Sequence, residues 1–193
     1  MRRDTDIAFT GLKHSGKTTL ARRLSRRLAY TFRDLDHAMV DLAEREGWFR
    51  RSSEAESDRY PIRSLYRAVG GERFRSWETT VLRRITGRPA DDGSADRRVL
   101  LATGGGICDN HEAMAILGER YYVLYLRDDP SILYERIAAR GIPAFLDPSR
   151  PRDHFLEIAE RRDTLYRRRA REVVDLSGLG LDEAFRELLN RLG

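Results

Sequence analysis

Gly11-Leu-Lys-His-Ser-Gly-Lys-Thr18 fits the pattern G-x-x-x-x-G-K-[ST]. A loop of this kind turns tightly at its glycines, so successive amide N–H groups converge on phosphate oxygens. The helix that follows adds the positive end of its dipole. The lysine reaches the terminal phosphates, and the hydroxyl serves Mg²⁺. The spacing assigns Gly11, Gly16, Lys17 and Thr18 to a nucleoside triphosphate, ATP being the simplest choice. His14, Ser15 and Thr19 lie beside them in the same loop and helix start. Lys17 carries extra weight: of 36 basic residues only Lys13 and Lys17 are lysine, so arginine is the default for a merely solvated cation.

Two other clusters follow apolar runs. Asp34 and Asp36 close a second short run, and the triplet Gly104, Gly105, Gly106 follows the run at 99–103. In an open parallel sheet, ligands bind beyond the carboxyl ends of the strands. Strand alternation predicts that Asp34 and Asp36 point to one side. One carboxylate is then placed to serve Mg²⁺ through water, the other to accept a proton from a substrate hydroxyl. The competing assignment is a helix N-cap at Asp36. Three glycines at a strand end permit close approach of a ligand to free amides; the competing assignment is a plain turn.

These groups need a scaffold, and the pattern along the chain predicts one. Strands are expected at 7–10, 30–35, 99–103, 121–126 and 173–176. Helices are expected at 16–29, 37–46, 62–85 with a break at Gly70-Gly71, 130–139, 153–171 and 181–192. Residues 47–61 and 87–97 read as polar loops, and 140–152, with three prolines, as a mobile segment. Alternating strands and helices imply a parallel sheet covered on both faces, an α/β fold. The 193 residues suit one domain, 1–193, without internal repeats.

Composition narrows the setting. The chain carries a net charge of +5 and 40% hydrophobic residues, with no apolar run long enough for a membrane span and no secretory leader pattern. A single cysteine, Cys108, excludes an intrachain disulfide and a Cys-rich metal site, which fits a reducing cytoplasm. The arginines of 161–171 lack the interleaved aromatic platform of a single-strand binder, so no nucleic-acid partner is expected. His37, beside Asp36, reads as a helix-start residue.

Taken in order, the motifs resemble those of the shikimate kinase family over nearly the whole chain. The resemblance rests on the P-loop, Asp34-Leu-Asp36, Gly70-Gly-Glu-Arg-Phe-Arg-Ser-Trp-Glu78, the triple glycine and Arg162-Asp-Thr-Leu-Tyr166. It implies a P-loop kinase fold with a five-stranded parallel sheet of order 2-3-1-4-5, flanked by helices on both faces. The region 37–87 would bind the acceptor, and a lid at about 140–153 would close over ATP. Position by position, Lys17 would contact the phosphates, and Thr18 with Asp34 would serve Mg²⁺. Asp36 would hold the acceptor hydroxyls and act as, or orient, the base. Arg75 and Arg162 would grip the substrate carboxylate, Gly104, Gly105 and Gly106 would line the same pocket, and Arg136 would lie beside the adenine. The implied activity is ATP-dependent phosphorylation of the shikimate 3-hydroxyl by a monomer.

Three departures stand out. His14 replaces a usual glycine, which asks for an unusual backbone angle there. Residues 47–61 are longer than the usual connection. Ile142 stands where the family's lid arginine would be, with Arg140, Arg150 and Arg152 as candidate substitutes. The departures leave two alternatives: a kinase for another small hydroxy acid such as gluconate, and a nucleotide-binding regulatory protein without efficient turnover.

Overall fold

In a computed structural model, residues 5–50, 61–86, 98–139, 141–142 and 146–193 are described. Most of the 47–61 loop, the 87–97 loop, Arg140 and residues 143–145 lie outside them. The strands are β1 (Ile7–Thr10), β2 (Thr31–Asp34), β3 (Val99–Ala102), β4 (Tyr122–Arg127) and β5 (Glu172–Asp175). The helices are α1 (Lys17–Leu28), α2 (Leu35–Arg45), α3 (Pro61–Thr86), α4 (His111–Arg120), α5 (Pro130–Ala138), α6 (Pro151–Arg169) and α7 (Leu181–Leu192).

All four strand pairings are parallel, and the sheet order is β2-β3-β1-β4-β5. Alternation along the strands feeds two cores. Ile7, Phe9, Leu100, Ala102, Leu124 and Leu126 pack with Leu20, Leu24, Leu188 and Leu192 of α1 and α7. Ala8, Leu101, Val123 and Tyr125 face the opposite side, against α2 to α6 through Met39, Leu82, Met114, Leu133 and Phe155. The inner strands β3, β1 and β4 are buried on both faces, which is why they read as continuous apolar runs, whereas the edge strands β2 and β5 are mostly half-buried and carry charged residues.

Register fixes where the strands end. Asp34 lies beside Ala102, and Ala102 beside Phe9, which pairs with Leu124 on its other side. The carboxyl ends of β2, β3, β1 and β4 therefore form one edge. The chain leaves that edge as the P-loop after β1, the aspartates after β2 and the glycines after β3.

Several expected boundaries move. The sheet-to-helix change after β2 comes at Leu35, so Asp34 itself is the N-cap of α2, accepting the His37 amide at 3.1 Å. Strand alternation therefore does not relate Asp34 to Asp36, which sits in the first helical turn, and the expected cap at Asp36 is two residues too late. Helix α4 has no counterpart in the expected pattern; at ten residues, its apolar positions span under three turns. Helix α6 starts at Pro151, and residues 146–150 form a tied turn rather than a loose segment. There Leu146 is buried, Asp147 accepts from the Ser149 amide at 2.9 Å, and the Asp147 amide donates to His154 at 2.9 Å. The expected break in α3 is present: Gly70 sits at φ 75°, ψ 166° and divides the helix.

Candidate active site

The loop after β1 is built to present amides. His14 adopts φ 66°, the unusual angle anticipated for a non-glycine there, and Gly16, at φ 83°, precedes the first turn of α1. Gly11 passes so close to β4 that a β-carbon on it would lie 2.5 Å from the Leu126 carbonyl. The Tyr166 hydroxyl donates to the Gly11 carbonyl at 3.3 Å, tying the loop to α6. Lys17 folds back over the loop, donating to the Leu12 carbonyl at 2.6 Å. Its burial lowers its pKa to about 8, against the opposing pull of Asp36 and Asp34.

Thr18 and Asp34 meet, as the two residues expected to serve a cation: the Thr18 hydroxyl donates to Asp34 Oδ2 at 2.9 Å. Asp36 lies over the glycine triplet, where a β-carbon on Gly104 would come within 2.7 Å of its Oδ1. Its side chain is partly open to the pocket. Desolvation by the packed surroundings, reinforced by Asp34, nonetheless raises its pKa to about 6, against Lys17 and Lys13.

Arg162 is half-buried on α6 and closes the far side of the triplet. A β-carbon on Gly106 would be 3.2 Å from its Nη2. Its Nε and Nη2 donate to Asp109 Oδ2 at 3.0 and 2.7 Å, and its Nη1 donates to the Gly105 carbonyl at 3.0 Å. One edge of the guanidinium is thus engaged. The terminal fork, Nη1 with Nη2, keeps one N–H on each nitrogen for a carboxylate. Arg75 is exposed next to the α3 kink, its Nη1 near Gly71. Its charge reaches buried Glu78, which also feels Asp36 and Asp109. The triplet, Asp36, Arg162 and the P-loop are directly assembled; Arg75 lies exposed beside the kink, and only its charge reaches Glu78.

The shikimate kinase family model matches residues 13–193. The chain belongs to the shikimate kinase family. It is 34% identical to a shikimate kinase of Dechloromonas aromatica over 174 residues, covering 90% of this chain and 82% of that one. It is 30% identical to a shikimate kinase of Neisseria meningitidis serogroup C over 186 residues, covering 96% and 95%. Among solved structures, shikimate kinase from Acinetobacter baumannii in complex with shikimate aligns with a TM-score of 0.72 at 25% identity, over 97% of this chain and 90% of that one. The α/β sheet of order 2-3-1-4-5 is the fold of these kinases.

Some features of this shikimate kinase family member come into view only in three dimensions. Arg136 is anchored at 2.7 Å to buried Asp128 and donates to the His14 carbonyl at 3.2 Å, so it braces the P-loop from α5. In the lid region, Ile142 is exposed. Arg150 pairs with Glu157 at 2.6 Å and with Asp147 at 3.6 Å, and Arg152 is exposed in the first turn of α6; Arg140 lies outside the described residues.

Four residues near the site escaped assignment from sequence. Asp109 holds Arg161 and Arg162 together. Burial alone would raise its pKa, but its hydrogen bonds and charge contacts with the two arginines leave it below the usual range. Asn110 caps α4 through the Ala113 amide and donates to Glu78 at 2.9 Å and to the Arg75 carbonyl at 2.8 Å. Glu78, buried, has its pKa raised to about 7 by desolvation, partly offset by the Asn110 hydrogen bond. Lys13 packs its backbone on Gly105. Signals existed for Lys13, which shares with Lys17 the exception to the arginine bias, and for Glu78, which closes the Gly70–Glu78 motif.

Proposed function

We propose that this chain transfers the γ-phosphoryl group of ATP to the 3-hydroxyl of shikimate, giving shikimate 3-phosphate and ADP. The observation that carries the reading is the meeting of a P-loop, Asp36 and Arg162 around one glycine triplet. Membership of the shikimate kinase family supports it, as does the likeness to a solved family member that holds shikimate.

The steps follow from the residues. Lys17 exchanges its contact with the Leu12 carbonyl for the phosphates. The loop amides and the N-terminus of α1 hold the β-phosphate. The terminal fork of Arg162, with Arg75, binds the acceptor carboxylate and directs the ring so that its hydroxyl meets Asp36. Asp36 takes the hydroxyl proton. The oxygen forms the new P–O bond while the bridging bond to the β-phosphate breaks and ADP departs.

Mg²⁺ fits the donors present. Thr18 and Asp34 offer two hard oxygens at 2.9 Å from each other, and no group of three or more His, Cys, Asp or Glu that could hold a metal occurs among the described residues. That sparse set suits an ion that keeps waters and phosphate oxygens as its remaining ligands. Bound there, it would neutralise charge on the β- and γ-phosphates. Arg136, anchored beside the P-loop by Asp128 and the His14 carbonyl, would lie against the adenine, as the resemblance implies. We read the working unit as a monomer in the cytoplasm, a reducing compartment in keeping with the single cysteine. No described helix is long and apolar enough to cross a membrane.

Coupled assay of ADP release by pure protein tests the reading. Shikimate-dependent release is expected, with little release on gluconate or without acceptor. Release that ignores shikimate but responds to another hydroxy acid would reassign the acceptor. ATP binding with no transfer to any acceptor would mark a regulatory nucleotide-binding protein instead.

A further inference from the structure

Lys13 precedes Lys17 by four residues, at a P-loop position where phosphate binding requires no cation. Its backbone lies against the second glycine of the triplet: a β-carbon on Gly105 would come within 2.7 Å of the Lys13 amide nitrogen and 3.0 Å of its Cα. The triplet thus abuts three groups in turn, Asp36 at Gly104, Lys13 at Gly105 and Arg162 at Gly106. Lys13 is half-buried, and its ammonium interacts electrostatically with Asp36, Lys17 and Arg63. Burial, aided by Arg63 and opposed by Asp36, lowers its pKa to about 8, so it stays mostly protonated at neutral pH. The same loop therefore sends two cations toward Asp36. The described arginines of the lid region offer no such charge: Arg150 is paired with Glu157 and Asp147, and Arg152 is exposed on α6.

We propose that Lys13 is a catalytic residue of the phosphoryl transfer, its ammonium contacting the phosphoryl group as it passes from ATP to the oxygen held by Asp36. This rests on the kinase reading above. Lys17 binds the phosphates before and during transfer. Lys13 approaches from the acceptor side and meets the group in flight, so its contribution falls on kcat rather than on KM. No bond forms to Lys13. The hydroxyl proton goes to Asp36, the new P–O bond forms as the bridging one breaks, and Lys13 remains an ammonium throughout.

Lys13→Met and Lys13→Arg in the full chain decide the matter, assayed for ADP release with ATP and shikimate each varied. Lys13→Met is expected to lower kcat about 100-fold, the scale of losing one preorganised charge donor, while both KM values stay within about threefold. Lys13→Arg is expected to recover at least about a tenth of the parent rate, since the charge is kept. ADP should raise the melting temperature of parent and variants equally, which a disordered P-loop would not allow. A folded Lys13→Met protein with kcat within about threefold of the parent overturns the proposal. So does a loss confined to KM for shikimate, which would make Lys13 an acceptor-binding group. If Lys13→Met fails to melt cooperatively, Lys13→Gln is read by the same criteria. A parent chain without shikimate-dependent turnover overturns the kinase reading and this one together, whereas a variant equal to an active parent removes only Lys13.

Discussion

Asp34 and Asp36 are two residues apart and have different neighbours. Asp34 caps α2 with Oδ1, which accepts the His37 amide, and accepts the Thr18 hydroxyl with Oδ2. Asp36 has its Oδ1 over Gly104 and a carboxyl destabilised as an anion by burial. Asp36→Asn keeps the shape and removes the proton acceptor. It should lower kcat by about 10²- to 10⁴-fold and leave the stabilisation by ADP intact, as steady-state kinetics and thermal melts will show. Asp109 grips one edge of the Arg162 guanidinium, and under the proposed function it would act through Arg162, whose Nη1 and Nη2 each keep one N–H for the acceptor. Asp109→Ala should raise KM for shikimate roughly tenfold with a smaller change in kcat and none in KM for ATP, because only acceptor positioning is lost. Lower KM in that variant would show instead that Asp109 competes with the substrate for Arg162. Lys17 and Thr18 were legible in the sequence because a P-loop is local: backbone turn, amides, lysine and hydroxyl lie within eight residues. Asp109 was not, because its partners are more than 50 positions away.

At the scale of elements, the kink in α3 carries the clearest consequence. Gly70 at φ 75° separates the segment that begins at Pro61 from the one that carries Arg75 and Glu78. A β-carbon at Gly70 would meet nothing within 4 Å, so Gly70→Ala tests backbone strain with no steric component. At φ 75°, ψ 166° the backbone is in a region essentially reserved for glycine, so alanine there should cost about 1–3 kcal/mol. That corresponds to a melting temperature lower by a few degrees, about 2–4 °C per kcal/mol in a chain of this size. An unchanged melt would mean that the helix straightens through position 70. The break was legible because two adjacent glycines interrupt a helical pattern. Helix α4 was not, since its short apolar pattern acquires a direction only when Asn110 caps it and Met114 and Leu117 meet the core. The start of the 47–61 stretch shows the same limit: among polar neighbours Phe49 is buried, and Trp48 meets Trp77 edge-on at 4.9 Å.

For the molecule as a whole, Glu78 couples stability to pH. Its folded pKa, about 7, exceeds the ordinary 4.5 because burial favours the neutral acid. The stability it contributes is complete below pH 4.5 and is lost as pH rises through 7. The size is of order 3 kcal/mol, from about 1.4 kcal/mol per pKa unit. Glu78→Gln retains an acceptor for Asn110 and cannot ionise. Relative to the parent, it should gain stability between pH 5 and 8, and a parent-minus-variant difference that is flat across that range would refute the assignment. Asp36 titrates in a similar window and interacts with Glu78, so the difference reports the coupled pair rather than Glu78 alone. The sequence alone determined what depends on neighbours in the chain: strand and helix alternation, the phosphate loop, the kink at Gly70 and, through resemblance, the family. Only the tertiary structure decided what depends on register. Pairing Asp34 with Ala102 and Ala102 with Phe9 sets the three strand ends on one edge. Packing then places Asp36, Lys13 and Arg162 on consecutive glycines, because each glycine lacks the side chain that would otherwise fill that space.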